Sequence, residues 1–488
     1  MDLSNSKCVV IHNGTSTTIA GFSNSEIPKC IIPSSYLKKK DGSFVFGTFD
    51  MMDSLEDEGA ESDIFTIVDS QLGVPYNWEA LEKQWEYIFE KQLKCDPTEL
   101  PVLITIPSSI SKNEDIENKV IEQYCKIAFE KFKIPYLQIV NESLSISLGL
   151  GKKTSLVIDI SGSGSSVTPI VDGVIIKNGI VKSKYGGDFL DYQIIKKFST
   201  IDEDLEEEMT NSSNIWVSSN SWIKNFKKTM LQVTDKKLQD VEKYYEEQLR
   251  LQAELQNQGS ITSVGTNPLS VKKEYLYRSR KTVTFESREL YQFGEYLFQP
   301  QLASEQYNRD DGLGELIYRS ITSAAMGNMP AAVAASNNIG GSSGATGGDS
   351  NVHTPSNVDS MGVGSGTSLG TSMGANGGSA NSGNAQLPPQ LATTANVTEN
   401  ISNLLNNIII KGGTSLVEGI ETRIINEISM RFPQYKITTF ANQVYLDRMI
   451  QSWTSGTTMG KLGEVALGNN NKWYCREIYE SSKNEVTA

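Results

Sequence analysis

The chain has 488 residues, with 44 Lys and Arg against 58 Asp and Glu, and its net charge is −14. Because phosphate contacts need clustered Lys and Arg, this acidic composition argues against direct, sequence-specific DNA binding. The five cysteines form no C-x-x-C pair, and two histidines are too few for a histidine-based metal site or catalytic triad. We therefore expect reduced, buried thiols and no protein-held structural metal.

The amino-terminal segment 1–7 is polar and lacks the apolar core of a signal peptide. No apolar run along the sequence reaches 18 residues, the length that a membrane-spanning helix needs. The sequence therefore predicts a protein that is neither secreted nor inserted into a membrane.

Strands and helices alternate over the first part of the chain. Apolar periodicity predicts strands at 7–11, 17–22, 101–106 and 134–140, helices at 77–93 and 114–132, and a polar, acidic loop at 37–66. This alternation indicates an α/β fold.

A strand–turn–strand unit occurs twice, at 7–36 and again at 155–182. An internal duplication of this kind predicts two lobes that face each other across a cleft. We place the outer lobe at 1–149, with 451–488 returning to it, and the inner lobe at 150–450.

Three segments interrupt the compact pattern. Residues 201–214 are predicted to form an acidic loop, and 235–257 a helical insertion that packs on its own lobe or, alternatively, binds a partner. Residues 327–396 hold 14 of the 40 glycines, no Phe, Trp or Tyr, and only Asp349 and Asp359 as charges. Such a segment buries too little apolar surface to offset its ordering entropy, so it is predicted to be a disordered insertion.

The segment most typical of a nucleotide site is Lys-Gly-Gly-Thr-Ser at 411–415. It follows the apolar run 407–410 and precedes a helix-like stretch, 416–429. A buried strand that turns through two glycines into a helix presents backbone N–H groups at a helix N-terminus. Such a turn holds a phosphate or packs closely on a nucleotide.

Three glycine-containing turns on duplicated α/β lobes resemble the actin and actin-related family, within the wider sugar kinase and heat-shock chaperone superfamily. Further motifs follow in the family's order: Ile32-Pro33-Ser34, Asn77-Trp78-Glu79-Ala80-Leu81, Leu297-Phe298-Gln299-Pro300, Gly412-Gly413-Thr414-Ser415 and Trp473-Tyr474-Cys475-Arg476. Outside the insertions they cover nearly the whole chain. The resemblance implies an actin-like two-lobed fold, with duplicated ribonuclease-H-like cores around a nucleotide cleft.

The resemblance also implies which residues contact a nucleotide. The matching positions are Asn13, Gly14, Thr15, Asp159, Gly186, Lys227, Gly412, Gly413 and Thr414. ATP is the implied ligand, bound weakly, since Lys228 replaces a Glu that holds the ribose in the family. The alternative is that the glycines persist only because tight turns need them.

Several groups that the family uses for hydrolysis are replaced. His12 stands in place of the acid that helps to hold hydrated Mg²⁺, and Ile19 in place of the phosphate-binding Lys. The second turn keeps Asp159 but has Gly162 where an Asp orients metal and water, and Glu142 replaces the Gln that positions the water. At about 3 kcal/mol of transition-state stabilisation for each lost group, we expect no catalytic residues and negligible hydrolysis. Whether magnesium binds is left open.

Within the family, segments 7–14, 184–191 and 431–436 most resemble the fungal actin-related subunits of the SWI/SNF and RSC chromatin remodellers. That resemblance implies a nuclear protein that pairs with a second actin-related protein on the helicase-SANT-associated helix of a remodeller ATPase. There, with other remodeller subunits, it would regulate DNA translocation.

Three other functions remain open from the sequence. The main alternative is an ATP-hydrolysing, filament-forming actin, against which His12, Ile19 and Gly162 count. A second is a histone-binding scaffold of another nuclear complex that uses its acidic loops. A sugar kinase is the weakest, because no catalytic Asp with sugar-binding neighbours stands out.

Overall fold

The computed structural model describes residues 7–58, 63–108, 110, 114–257, 267–326, 389–442, 444–461 and 473–487. The described residues up to 326 and from 398 onward belong to one compact unit. Most of the predicted insertion, residues 327–388, lies outside the described residues. Its last part, 389–396, belongs to the helix Pro389–Leu405.

The strands are numbered in chain order. They are β1 (Val9–Asn13), β2 (Thr17–Phe22), β3 (Cys30–Pro33), β4 (Ser35–Lys38), β5 (Phe44–Val45), β6 (Asp63–Thr66), β7 (Val102–Ile106), β8 (Tyr136–Asn141), β9 (Ser155–Ile160), β10 (Ser165–Val171), β11 (Val174–Ile175), β12 (Val181–Ser183), β13 (Lys272–Tyr277), β14 (Lys281–Glu286), β15 (Ile408–Lys411), β16 (Thr439–Phe440) and β17 (Trp473–Cys475).

The α-helices are numbered in the same way. They are α1 (Thr48–Glu58), α2 (Trp78–Tyr87), α3 (Glu114–Lys126), α4 (Glu142–Gly149), α5 (Gly187–Ser199), α6 (Leu205–Glu208), α7 (Ser212–Asn220), α8 (Trp222–Met230), α9 (Leu238–Asn257), α10 (Ser287–Glu295), α11 (Leu313–Met326), α12 (Pro389–Leu405), α13 (Ile420–Arg431), α14 (Tyr445–Lys461) and α15 (Arg476–Thr487). Two of them continue as π-helical turns, Ile88–Leu93 after α2 and Ile127–Lys131 after α3.

The first sheet has six strands in the order β17-β8-β7-β1-β2-β3. The three central strands β8, β7 and β1 are parallel, and β2 and β3 extend the sheet as an antiparallel meander. Strand β7 is buried at every position, as expected of a parallel strand covered on both faces. Its apolar run is therefore continuous and does not alternate with polar residues.

The second sheet repeats this plan with the order β11-β10-β9-β15-β16, and β12 also pairs with β10. Strands β9 and β10 are antiparallel, as β1 and β2 are, and β15 lies parallel to β9, as β7 does to β1. Each sheet therefore places a glycine-containing hairpin turn and the end of a parallel strand at the same edge. Two smaller sheets, β5-β4-β6 and β13-β14, accompany them.

Helix α2 illustrates how local sequence sets an element. The side chain of Asn77 accepts a hydrogen bond from the amide of Ala80 at 3.0 Å, which caps the helix. Leu81 and Trp85 then lie four residues apart on one face, and both are fully buried against the first sheet. The helix predicted for 77–93 is confirmed, with its last turn π-helical.

Two local predictions were wrong. Residues 37–66 do not form a loop: they contain α1 and most of the three-stranded sheet, with Leu37 and Met51 fully buried. Residues 201–214 contain α6 and the start of α7. In both segments, apolar side chains interspersed with acidic ones bury one face of a short element.

None of the helices in the described part of the chain combines the length and the apolar character that crossing a membrane requires.

Candidate functional site

The glycine turns of both sheets meet at a cleft of about 560 Å³. Of the predicted nucleotide contacts, Gly14, Thr15, Lys227, Gly412, Gly413 and Thr414 line it. Asn13, Asp159 and Gly186 do not line the cleft. The structure therefore brings six of the nine predicted residues to one cleft.

Asn13 lies in the core at the end of β1. It is 5% exposed, and its amide donates to the side-chain oxygens of Thr18, at 3.2 Å, and Gln84, at 3.3 Å. It also accepts a hydrogen bond from the indole N–H of Trp85 at 3.4 Å. These contacts show that Asn13 ties the first turn to α2.

The second and third turns hold each other in place. Gly412 has a φ of +92°, and a side chain there would collide with the carbonyl oxygen of Ile160. The hydroxyl of Thr414 donates to the carbonyl oxygen of Ser161 at 3.0 Å. Gly186 packs against the same turn, where an added Cβ would lie 2.6 Å from the Ser161 carbonyl oxygen. Close approach of backbones is thus the reason for these glycines.

The predicted transition from the third turn directly into a helix over 416–429 was wrong. A single 3-10 turn, Gly413–Leu416, comes first, and α13 begins only after Gly419, which has a φ of +90°. The N-terminus of α13 therefore lies one turn of chain away from the glycine pair, so the dipole of this α-helix does not begin at the glycines.

A cluster of ionisable side chains borders the cleft and is centred on Lys411. This lysine is 4% exposed and ends β15, directly opposite Asp159 in the parallel ladder. Its ammonium pairs with Asp159 Oδ2 at 3.2 Å and with Glu142 Oε1, and it donates to Ser452 Oγ at 3.3 Å. The three N–H donors of the ammonium group thus have three acceptors.

His12 completes the cluster from the first sheet. Its Nε2 lies 3.8 Å from Glu142 Oε1, and its Nδ1 is 2.7 Å from the hydroxyl of Thr105, its neighbour on β7. Burial lowers the pKa of His12 below its ordinary value, an effect that the nearby carboxylate of Glu142 opposes. The imidazole is accordingly neutral at pH 7.

The charges of the cluster stabilise one another. Burial alone would raise the pKa of Glu142, but Lys411, His12 and the hydrogen bonds from Lys411 and Ser452 together hold that pKa below the usual range. Burial likewise opposes the charged form of Lys411, whose pKa is nonetheless raised by Asp159 and Glu142. Lys411 and Glu142 thus each favour the charged form of the other.

A second ion pair lies on the opposite wall of the cleft. Lys227 pairs with Asp191, a carboxylate that is 8% exposed, and donates to the carbonyl oxygen of Gly187 at 3.3 Å. Burial raises the pKa of Asp191 to about 6, and Lys227 offsets only part of this effect. The predicted ligand Lys227 is thus held by the protein itself.

These residues do not fit a magnesium ion. Mg²⁺ in proteins takes oxygen ligands, usually one or two carboxylates with several waters. The first turn offers the imidazole of His12, and Asp159, the retained acid, is engaged by Lys411 and by the hydroxyl of Ser161 at 2.5 Å. In the described residues no group of three or more His, Cys, Asp or Glu side chains is arranged to hold a metal.

Lys411 is the functional position that the sequence prediction missed. We predicted its strand and the turn that follows it but assigned the lysine no role. One signal was present: a charged residue ends an otherwise apolar strand, Ile408–Lys411, that is buried at every position. Such a charge must be paired in the folded protein.

The sequence model of the actin family matches residues 3–335 and 391–485. This chain belongs to the actin family. Its two-lobed actin-like fold, predicted from the motif order, is thereby confirmed. The family therefore accounts for the repeated sheet and for the cleft between the glycine turns.

Named relatives lie among the actin-related proteins. The chain is 42% identical to actin-related protein 7 of Saccharomyces cerevisiae over 99% of its own length and 97% of that protein. It is 26% identical to actin-related protein 4 of Debaryomyces hansenii, over 97% and 94% of the two chains. A shorter match, 30% identical, covers 40% of this chain and 44% of the SWI/SNF and RSC complexes subunit arp42 of Schizosaccharomyces pombe.

Proposed function

We propose that this actin-related protein is a non-catalytic subunit of a nuclear SWI/SNF- or RSC-type chromatin remodeller. The observation that carries the proposal is the similarity over nearly the full length to yeast actin-related protein 7, together with the match to a SWI/SNF and RSC subunit. In the proposed role it pairs with a second actin-related protein on the helicase-SANT-associated helix of the ATPase subunit and regulates DNA translocation.

The geometry of the cleft supports the non-catalytic part of the proposal. Phosphoryl transfer depends on cations that neutralise the phosphates and on a group that positions the attacking water. Ile19 lines the cleft where the family has a lysine, and Glu142 is bound by Lys411 and Ser452. We propose that ATP binds weakly, at the glycine turns, and is not hydrolysed.

A phosphate-release assay tests this part. Purified protein with ATP is expected to release phosphate no faster than buffer with ATP, and a conventional actin under the same conditions is the positive control. Release that grows with protein concentration, and that a Gly412→Ala variant abolishes, would contradict the proposal and favour a hydrolysing actin.

The proposed helix partner needs an apolar surface that is open to solvent. Of the apolar residues that follow Asn141, Leu144 and Ile146 are core, whereas Leu150, at the end of α4, is 44% exposed. An amphipathic helix docks on apolar anchors of this kind. We propose that Leu150 lies at the edge of the partner surface.

Affinity purification from nuclear extract tests the assembly. Tagged protein is expected to recover a remodeller ATPase and a second actin-related protein, and to keep both at moderate salt. Recovery of histones alone, lost as ionic strength rises, would instead favour the histone-binding scaffold, since exposed charge contacts are screened by salt.

A further inference from the structure

The Lys411 cluster already holds a cation at the point where the glycine turns converge. We infer that the cleft accepts nucleoside phosphates as the metal-free anion, and not as a magnesium complex, because the ammonium of Lys411 is the resident counter-ion of Asp159 and Glu142. This inference rests on the proposed nucleotide binding and deepens it.

The contacts of Lys411 leave no place for a divalent ion between the two carboxylates. Its ammonium reaches Asp159 from one side and Glu142 from the other, and Ser452 takes its third N–H. The hydroxyl of Ser452 also donates to Glu142, and that of Ser161 to Asp159. Both carboxylates thus face groups of the protein that neutralise or solvate them.

Displacing Lys411 is unfavourable. The lysine borders the cleft but is only 4% exposed, at the end of a strand that is buried along its whole length, so its ammonium has little water around it to replace the two carboxylates. A magnesium ion that took its carboxylates would leave a buried, unpaired ammonium, the costliest outcome for a buried charge. Mg²⁺ also gives up its own water reluctantly, which adds to the cost.

Phosphate oxygens find other partners in the cleft. The lining includes Thr15, Ser16 and Thr17 of the first turn, together with Lys224 and Gly413. A side chain on Gly413 would meet nothing within 4 Å, so its backbone borders open space. Hydroxyls, backbone N–H groups and a lysine bind phosphate without a metal bridge.

The test is calorimetric titration of ATP into the purified full-length protein, in EDTA and in excess Mg²⁺. We expect Mg²⁺ to leave the apparent Kd unchanged or to raise it, because magnesium forms a complex with ATP in solution that the cleft does not favour. A Kd at least tenfold lower in Mg²⁺ would overturn the inference while leaving nucleotide binding intact. No binding under either condition would overturn both, and the remodeller assignment would still stand on co-purification.

A matched pair of variants assigns the effect to Lys411. In Lys411→Met, Asp159 and Glu142 lose their counter-ion, so Mg²⁺ is expected to tighten ATP binding at least fivefold. Lys243→Met, on the exposed side of α9, is expected to behave as the wild type. Magnesium-insensitive binding by Lys411→Met would overturn the role given to this lysine. Should that variant not fold, the wild-type titration alone decides.

Discussion

Replacing Lys411 with methionine removes one ammonium and keeps most of the side-chain volume. The change leaves Asp159 and Glu142 facing each other without their common partner, in a site where Lys411 was 4% exposed. Removing one member of a buried ion pair costs about 3–5 kcal/mol, because the remaining charge stays buried. At about 2 °C per kcal/mol for a large domain, Tm should fall by roughly 6–10 °C.

The loss should depend on pH. His12 lies 3.8 Å from Glu142, with Lys411 and Asp159 as the other charges near it and the hydroxyl of Thr105 on its far side. Lys411 lowers the pKa of His12 whereas Glu142 raises it, so the pKa of His12 should rise in the variant. A histidine whose pKa is raised in the folded state stabilises the fold below about pH 6.5. This contribution is lost as pH rises through the raised pKa. The destabilisation should therefore be smaller at pH 5.5 than at pH 8.

Differential scanning calorimetry at both pH values measures these effects, with Lys243→Met as the control. The double variant Lys411→Met/Glu142→Gln should recover part of the lost Tm, since it removes one of the two carboxylates that lose Lys411 as a partner. A Tm of Lys411→Met within 2 °C of the wild type at pH 8 would refute the reasoning. A drop equal at the two pH values would refute the part assigned to His12.

Three further predictions concern other parts of the chain. Burial raises the pKa of Asp191 to about 6, so the folded state binds a proton that the unfolded state has lost, and the wild type should lose about 2 kcal/mol of stability relative to Asp191→Asn between pH 4 and pH 6; urea denaturation that gives both proteins the same change in unfolding free energy between these pH values would contradict this. Leu150→Asp should abolish co-elution with a helicase-SANT-associated peptide, whereas Ile116→Asp, at a similar 39% exposure, should not; equal losses would count against the proposed surface. Arg423 is fully buried and makes a bidentate ion pair with Glu295, so Arg423→Met should lower the free energy of unfolding by about 3–5 kcal/mol in chemical denaturation. A loss below about 1 kcal/mol would contradict this prediction.

The sequence was most informative where the apolar residues followed the pattern of one kind of element, either a buried strand or a helix. The run Val9-Val10-Ile11 and the helical spacing of Leu81 and Trp85 identified a central strand and a core helix, because the strand lies inside one large sheet and the helix packs against it. It was least informative at 37–66, where eight acidic side chains are scattered among the apolar ones. Met51 is nonetheless fully buried there with Leu37, because a small sheet needs only a few apolar contacts.

At the site, glycine and its neighbours were predictable, and the charge pairing was not. Gly412 is required by its positive φ and by the nearby Ile160 carbonyl, and both follow from a strand-to-turn motif. The partners of Lys411 come from α4, β9 and α14, and Glu142 and Ser452 are 310 residues apart. Contacts between distant segments depend on the register of parallel strands, which no local pattern in this chain specifies.

The pairing of Lys411 with Asp159 also bears on how the second sheet assembles. Ile408, Ile409 and Ile410 are each fully buried, so an apolar strand of this kind would fit against β9 almost equally well if displaced by one residue. Such a slip would turn the ammonium to the opposite face of the sheet, among aliphatic side chains. Asp159 and Glu142 would then lose their ion pairs with Lys411. Lys411 therefore selects the register in which β15 pairs with β9. The native register leaves the ammonium paired, and registers displaced by one residue do not.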